Sequence, residues 1–170
     1  REMTVLQVIN EIERDTVFYE QSGGGVTFTG GEPLAQPSFL LDLLSACRTR
    51  TLHTIVDTSG FAPWPILDEI RPLVDLFLYD LKLMDNTRHL QWTGVSNTDI
   101  LSNLRQLSEV GSRILIRLPL IPGINDDGEN LRQTGEFLAS LPHVPPVELV
   151  PYHNMAEARY AGLGRGYGME

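Results

Sequence analysis

Glu32, Asp57, Asp80, Lys82, Arg117 and His153 each stand at or near the point where a short apolar run of this sequence gives way to a polar or glycine-rich corner. The first three runs are Val26-Thr27-Phe28-Thr29 before Gly30-Gly31-Glu32-Pro33, Thr54-Ile55-Val56 before Asp57-Thr58-Ser59-Gly60, and Leu76-Phe77-Leu78-Tyr79 before Asp80-Leu81-Lys82. The last two are Ile114-Leu115-Ile116 before Arg117, and Val147-Glu148-Leu149-Val150 before Pro151-Tyr152-His153. Carboxylates, an ammonium, a guanidinium and an imidazole on one rim could hold a small charged ligand. Paired glycines let the backbone approach such a ligand closely and offer it carbonyl oxygens. Two neighbouring carboxylates repel each other unless a cation or a donor lies between them. Plainer readings stand beside these: Gly30 to Pro33 as a strand-to-helix turn, Asp57 capping a loop, and Asp80 pairing with Lys82 at the surface. Arg117 is a charge inside an apolar segment and needs a carboxylate or an anionic ligand.

These residues need strands to bring them together. Short unbroken apolar runs read as parallel strands buried on both faces, and in parallel α/β folds the ligand crevice lies at their carboxyl ends. Between the runs the apolar spacing turns helical. The first helix is predicted over Thr4 to Tyr19, the second from Pro37 to Arg50, and a short third from Pro65 to Ile70, closed by Pro72. A fourth runs from Thr98 or Asp99 to Gly111, and a fifth from Asp126 to about Leu138. Five strands alternating with five helices predict an α/β fold with a parallel sheet and right-handed crossovers. No linker divides the chain, so residues 1–170 are expected to form a single domain.

The net charge of −9 excludes the basic footprint that neutralises nucleic-acid phosphates. No apolar run is long enough to span a bilayer, and the first residues lack a secretory profile, which points to the cytoplasm. The single cysteine, Cys47, excludes an internal disulfide or a cysteine-rich metal site and reads as a small buried apolar residue. Twelve of the thirteen basic residues are arginine; the one lysine, Lys82, lies on the rim. His53, His89 and His143 read as solvated side chains, and Gly94-Val95-Ser96-Asn97 as either a substrate-facing loop or an ordinary turn.

Together Gly30-Gly31-Glu32-Pro33, Asp57-Thr58-Ser59-Gly60, Asp80-Leu81-Lys82, Arg117 with Pro122-Gly123-Ile124-Asn125-Asp126-Asp127, and Pro151-Tyr152-His153 resemble the radical S-adenosylmethionine activating enzymes of glycyl-radical enzymes, the pyruvate formate-lyase activase group. The resemblance covers nearly the whole chain. It implies a partial parallel (β/α) barrel that holds S-adenosylmethionine against a 4Fe-4S cluster. The cluster's electron, delivered by a flavodoxin or ferredoxin, cleaves the sulfonium to a 5'-deoxyadenosyl radical, which takes hydrogen from a glycine of the partner enzyme. By the same resemblance Gly30, Gly31 and Glu32 would hold the methionyl ammonium through their backbone, and Asp57, Thr58, Asp80 and Lys82 would surround the methionyl carboxylate. Arg117 and His153 would lie against the carboxylate, ribose or adenine; no catalytic residue is assigned. Pro33 and Asn154-Met155-Ala156-Glu157 look closer to activases of the dehydratase or decarboxylase type.

The sequence departs from the family pattern in lacking the CxxxCxxC loop and the strand before it, the ferredoxin-like insert of dehydratase-type relatives, and the last helix and strand. The chain by itself is therefore expected to be an inactive portion of a longer activase, with open sheet edges near Val26 and Val147 that favour self-association or marginal stability. A methionyl carboxylate beside Asp57 and Asp80, offset by one lysine, further predicts a monovalent cation between the two. Two alternatives remain open: a Schiff-base lyase or aldolase using Lys82, and a non-catalytic fragment that binds S-adenosylmethionine.

Overall fold

The computed structural model describes residues 3–152. Its five strands, β1 (Gly25–Phe28), β2 (His53–Thr58), β3 (Leu76–Asp80), β4 (Ile114–Leu120) and β5 (Val147–Pro151), form one sheet in sequence order, and every pairing is parallel. The α/β class and the strand positions agree with the sequence reading. β1 and β5 each have one strand neighbour among the described residues.

The strands are not buried on both faces. Burial alternates along β2 and β3, where Thr54, Val56, Thr58, Phe77 and Tyr79 are sealed while Ile55, Asp57, Leu78 and Asp80 stay half-buried. One face is sealed against the helices, and the other is left only half-buried, where polar side chains can stand. Phe77, Tyr79 and Ile116, none of them with exposed surface, form the main core with residues of the covering helices such as Leu44, Leu67 and Leu104. Fully burying each such side chain contributes about 1.5–3 kcal/mol.

The first predicted helix is two: α1 (Val5–Arg14) and α2 (Thr16–Ser22). Thr4 and Gln7 cap α1 reciprocally, and Ile9 and Ile12 bury its apolar stripe against α3 (Pro37–Arg48) and β1. The next turn of that stripe would fall on Asp15 and Thr16, which cannot extend it, so the helix stops and Val17 and Phe18 face outward. Cys47, with no exposed surface, belongs to this smaller core, as predicted.

The remaining helices are α4 (Trp64–Ile70), α5 (Asn86–Thr93), α6 (Thr98–Glu109) and α7 (Gly128–Ala139). The sequence reading omits α5 because it has no apolar stripe: Leu90 and Trp92 are exposed. Its start and stop are nevertheless encoded. Asp85 accepts from the Arg88 amide at 2.8 Å, and Gly94 closes the helix in the left-handed conformation at φ 79°.

Candidate functional site: a charged rim at the strand ends

The turn after β1 places Gly30 and Gly31 at φ 99° and 52°, where a side chain would strain the backbone. It delivers Glu32 to the end of β2. One Glu32 oxygen accepts from the Leu34 amide (3.1 Å) and the Thr58 hydroxyl (2.6 Å); the other accepts from the Ser59 amide (3.0 Å) and hydroxyl (2.6 Å). Four donors hold the carboxylate, so Glu32 ties two strand ends together, and its charge is largely spent on the protein itself.

Register sets the rest. Asp80 pairs in the ladder with Arg117, and Asp57 lies one strand further on the same half-buried face. β4 does not stop at Arg117 but continues to Leu120, so Arg117 is an in-strand residue whose guanidinium spans both carboxylates. It donates to Asp80 Oδ1 through Nε (3.0 Å) and Nη2 (2.9 Å), and through Nη2 to Asp57 Oδ1. Partial burial works against its charge, but the carboxylates of Asp80 and Asp57 outweigh that and hold the guanidinium more firmly protonated than usual. Thr29 donates to Asp57 Oδ2 at 2.9 Å, and Lys82 reaches Asp80 Oδ2 at 3.4 Å.

The sequence reading places a monovalent cation between Asp57 and Asp80. In the structure the Arg117 guanidinium reaches both carboxylates and offsets part of their repulsion. His153 and Asn154 to Glu157 lie outside the described residues. Of the other predicted site residues, Gly30, Gly31, Glu32, Asp57, Thr58, Asp80, Lys82 and Arg117 all meet on this rim.

Sequence reasoning assigned no role to the asparagines that aim Lys82, although Asn97 and Asn125 lie in segments it singled out. The Lys82 carbonyl accepts from the side chains of Asn125 (3.0 Å) and Asn130 (3.2 Å), while Asn97 donates to the carbonyls of Leu83 (3.0 Å) and Met84 (2.8 Å). All three asparagines are buried. As turn and helix-start residue types they looked ordinary; only their burial marks them, and burial is not visible in a lone Asn. His89 was also misread. It is 3% exposed, with Nδ1 2.8 Å from the Val95 carbonyl. A cavity of about 240 Å³ opens among Gly31, Glu32, Asp80, Lys82 and His89. A larger cavity, about 410 Å³, lies at the opposite strand ends by Arg113 and His143, away from these groups.

The parallel β/α sheet thus carries a glycine turn, paired aspartates and a lysine at consecutive strand ends. Residues 1–134 match the radical SAM superfamily, and the chain belongs to it. It is 42% identical over 170 residues to the trans-4-hydroxy-L-proline dehydratase activating enzyme of Clostridioides difficile, covering 98% of this chain and 56% of that protein. It is 41% identical to the pyruvate formate-lyase-activating enzyme of Staphylococcus epidermidis, covering all of this chain and 70% of that protein. A crystal structure of a domain of pyruvate-formate lyase-activating enzyme from Bacteroides vulgatus superposes with a TM-score of 0.73 at 45% identity, covering 77% of this chain and 82% of that one. The chain thus spans little more than half the length of the first of these relatives. Among the described residues no helix is long and apolar enough to cross a membrane.

Proposed function

We propose that residues 1–170 are the S-adenosylmethionine-binding portion of a glycyl-radical-enzyme activase. The observation that carries this reading is the rim itself: Lys82 beside Asp80, with Glu32 and Gly31 across a cavity sized for the amino-acid end of a cofactor. Its motif order and the names of its relatives support the same reading. Bound S-adenosylmethionine and a 4Fe-4S cluster supply the one-electron chemistry that removes a hydrogen atom from a glycine of the partner enzyme. The chain's own residues bind and orient. Lys82 donates to the methionyl carboxylate, the Gly30-Gly31 turn offers its carbonyls to the ammonium, and Asp57 and Asp80 keep Arg117 at the floor of the site.

The residues fit the cofactor's amino-acid end but not the cluster. Cys47 is the one thiol in the sequence and has no exposed surface. Cluster ligands are therefore assigned outside residues 1–170, in a longer protein of which this chain is a single core domain without its own radical activity. Activation of a pyruvate formate-lyase or dehydratase-type partner, electron delivery by a flavodoxin or ferredoxin, and a cytoplasmic location complete the proposal. A nucleophilic lysine needs an apolar pocket or a cationic neighbour. Lys82 instead faces a carboxylate, which disfavours the Schiff-base alternative.

Calorimetric titration of the chain with S-adenosylmethionine tests the reading. Saturable binding that weakens at least tenfold in Lys82→Met supports it. No binding, or binding indifferent to Lys82, overturns it.

A further inference from the structure

The ladder between β3 and β4 breaks off just before Lys82. Asp80 pairs with Arg117, and the Leu81 amide still donates to the Arg117 carbonyl at 3.0 Å. In a parallel ladder the next rung comes from the amide of residue 119, and Pro119 has no N–H to give. β4 itself runs on to Leu120 beside β5, so β3 alone loses its partner there. Among the described residues no strand takes up the backbone of residues 82–84.

Three buried asparagines stand in for the missing rungs. Asn125 Nδ2 donates to the Lys82 carbonyl (3.0 Å) and to the Pro119 carbonyl (2.6 Å), the two residues that an unbroken register would set side by side. Its Oδ1 accepts from the Ile121 amide (2.7 Å), and its own carbonyl accepts from Asn130 Nδ2 (2.9 Å). Asn130 also reaches the Lys82 carbonyl (3.2 Å) and accepts the Met84 amide (2.9 Å), while Asn97 holds the carbonyls of Leu83 and Met84. Leu81 and Leu83 are buried on either side of Lys82, which lines the rim cavity between them. A lysine on a loose segment would have backbone and stem to order when a ligand arrives; with the backbone already held, only the stem is left to order.

We propose that Asn125 is a positioning residue for ligand binding: it bridges the ladder that Pro119 breaks and so holds Lys82 where its Nζ meets a ligand carboxylate. Asn130 supports it at the same carbonyl. The inference rests on the cofactor reading above and extends it to the loop after β4, which touches the ligand only through Lys82.

Calorimetric titration compares S-adenosylhomocysteine with its decarboxylated analogue, in which hydrogen replaces the carboxylate. The proteins are the chain of residues 1–170, Asn125→Ala, Lys82→Met and the double variant. Asn125→Ala should lose about fivefold in affinity for S-adenosylhomocysteine, keep its affinity for the analogue, and cause no further loss in the Lys82→Met background. A loss that persists in that background, or that extends to the analogue, makes Asn125 a general structural residue and overturns the inference, as does an unchanged affinity. In all three cases the cofactor reading stands provided that Lys82→Met itself weakens binding. If Lys82→Met binds S-adenosylhomocysteine as the wild type does, or neither binds it, the reading falls and the inference with it. Should Asn125→Ala not fold, ¹⁵N spectra of the wild-type chain decide: the side-chain amide signals of Asn125 shift with S-adenosylhomocysteine and stay with the analogue. A shift with both, or with neither, overturns the inference.

Discussion

Gly60 lies flat against the ring of Tyr79: a Cβ on Gly60 would stand 1.7 Å from the Tyr79 hydroxyl oxygen. That hydroxyl is fully buried and donates to the Ile100 carbonyl at 2.7 Å, and burial, with the charge of Glu32 adding, pushes it well above its usual pKa. Gly60 also has φ 73°. Gly60→Ala should cost about 3 kcal/mol or more, from the clash and the left-handed backbone together. Urea denaturation followed by tryptophan fluorescence reads the loss; a variant within 1 kcal/mol of wild type would mean that β2 and β3 do not pack this way.

Arg117 and Asp80 act as one unit with Asp57. Arg117→Gln and Asp80→Asn should each destabilise the chain, and the double variant should be less destabilised than the sum by about 1–3 kcal/mol. Additive losses in the double-mutant cycle would show that the guanidinium does not bridge the strands in solution.

At the start of α7, Arg88 donates to Asp127 at 2.8 Å, and Asp127 accepts the Asn130 amide at 2.9 Å. The Arg88 hydrogen bond, then that of Asn130, holds the Asp127 carboxyl below its ordinary value of 3.8. A carboxylate depressed in the fold adds stability that is present above its unfolded pKa and lost as pH falls through the folded one. Arg88→Met should therefore lower the denaturation midpoint at neutral pH, with the gap to wild type narrowing below pH 3.8. Part of the gap persists, since Arg88 also donates to the Ile124 carbonyl. A gap that ignores pH contradicts the pairing.

Cys47 should resist modification in the native chain. Burial pushes its thiol up, partly countered by Arg50, and it has no exposed surface. Alkylation by iodoacetamide, followed by mass spectrometry, should track unfolding across a urea series. Rapid labelling without denaturant would place α3 differently from the fold described here.

Much of the rim was legible along the chain because βα folds put function where apolar runs end. The five runs, the turn at Gly30-Gly31 and the isolated Lys82 are local signals, and all lie on strands or strand ends here. The asparagines that fix Lys82, by contrast, come from 15 to 48 residues further along the chain. A solvated Asn and one that clamps two buried carbonyls are the same letter in a sequence.

The sequence by itself determined the α/β alternation, the place of each strand and the chemistry available at its end, since apolar periodicity and glycine corners depend on neighbours in the chain. Tertiary structure decided the rest. Parallel register set Arg117 beside Asp80 and within reach of Asp57, turning two repelling carboxylates and a part-buried guanidinium into one ion-paired cluster. Packing decided that His89, on a helix with no apolar stripe, is buried with its Nδ1 held against the Val95 carbonyl. Both depend on groups brought together across separate elements, where desolvation makes each pairing strong and where no spacing along the chain records it.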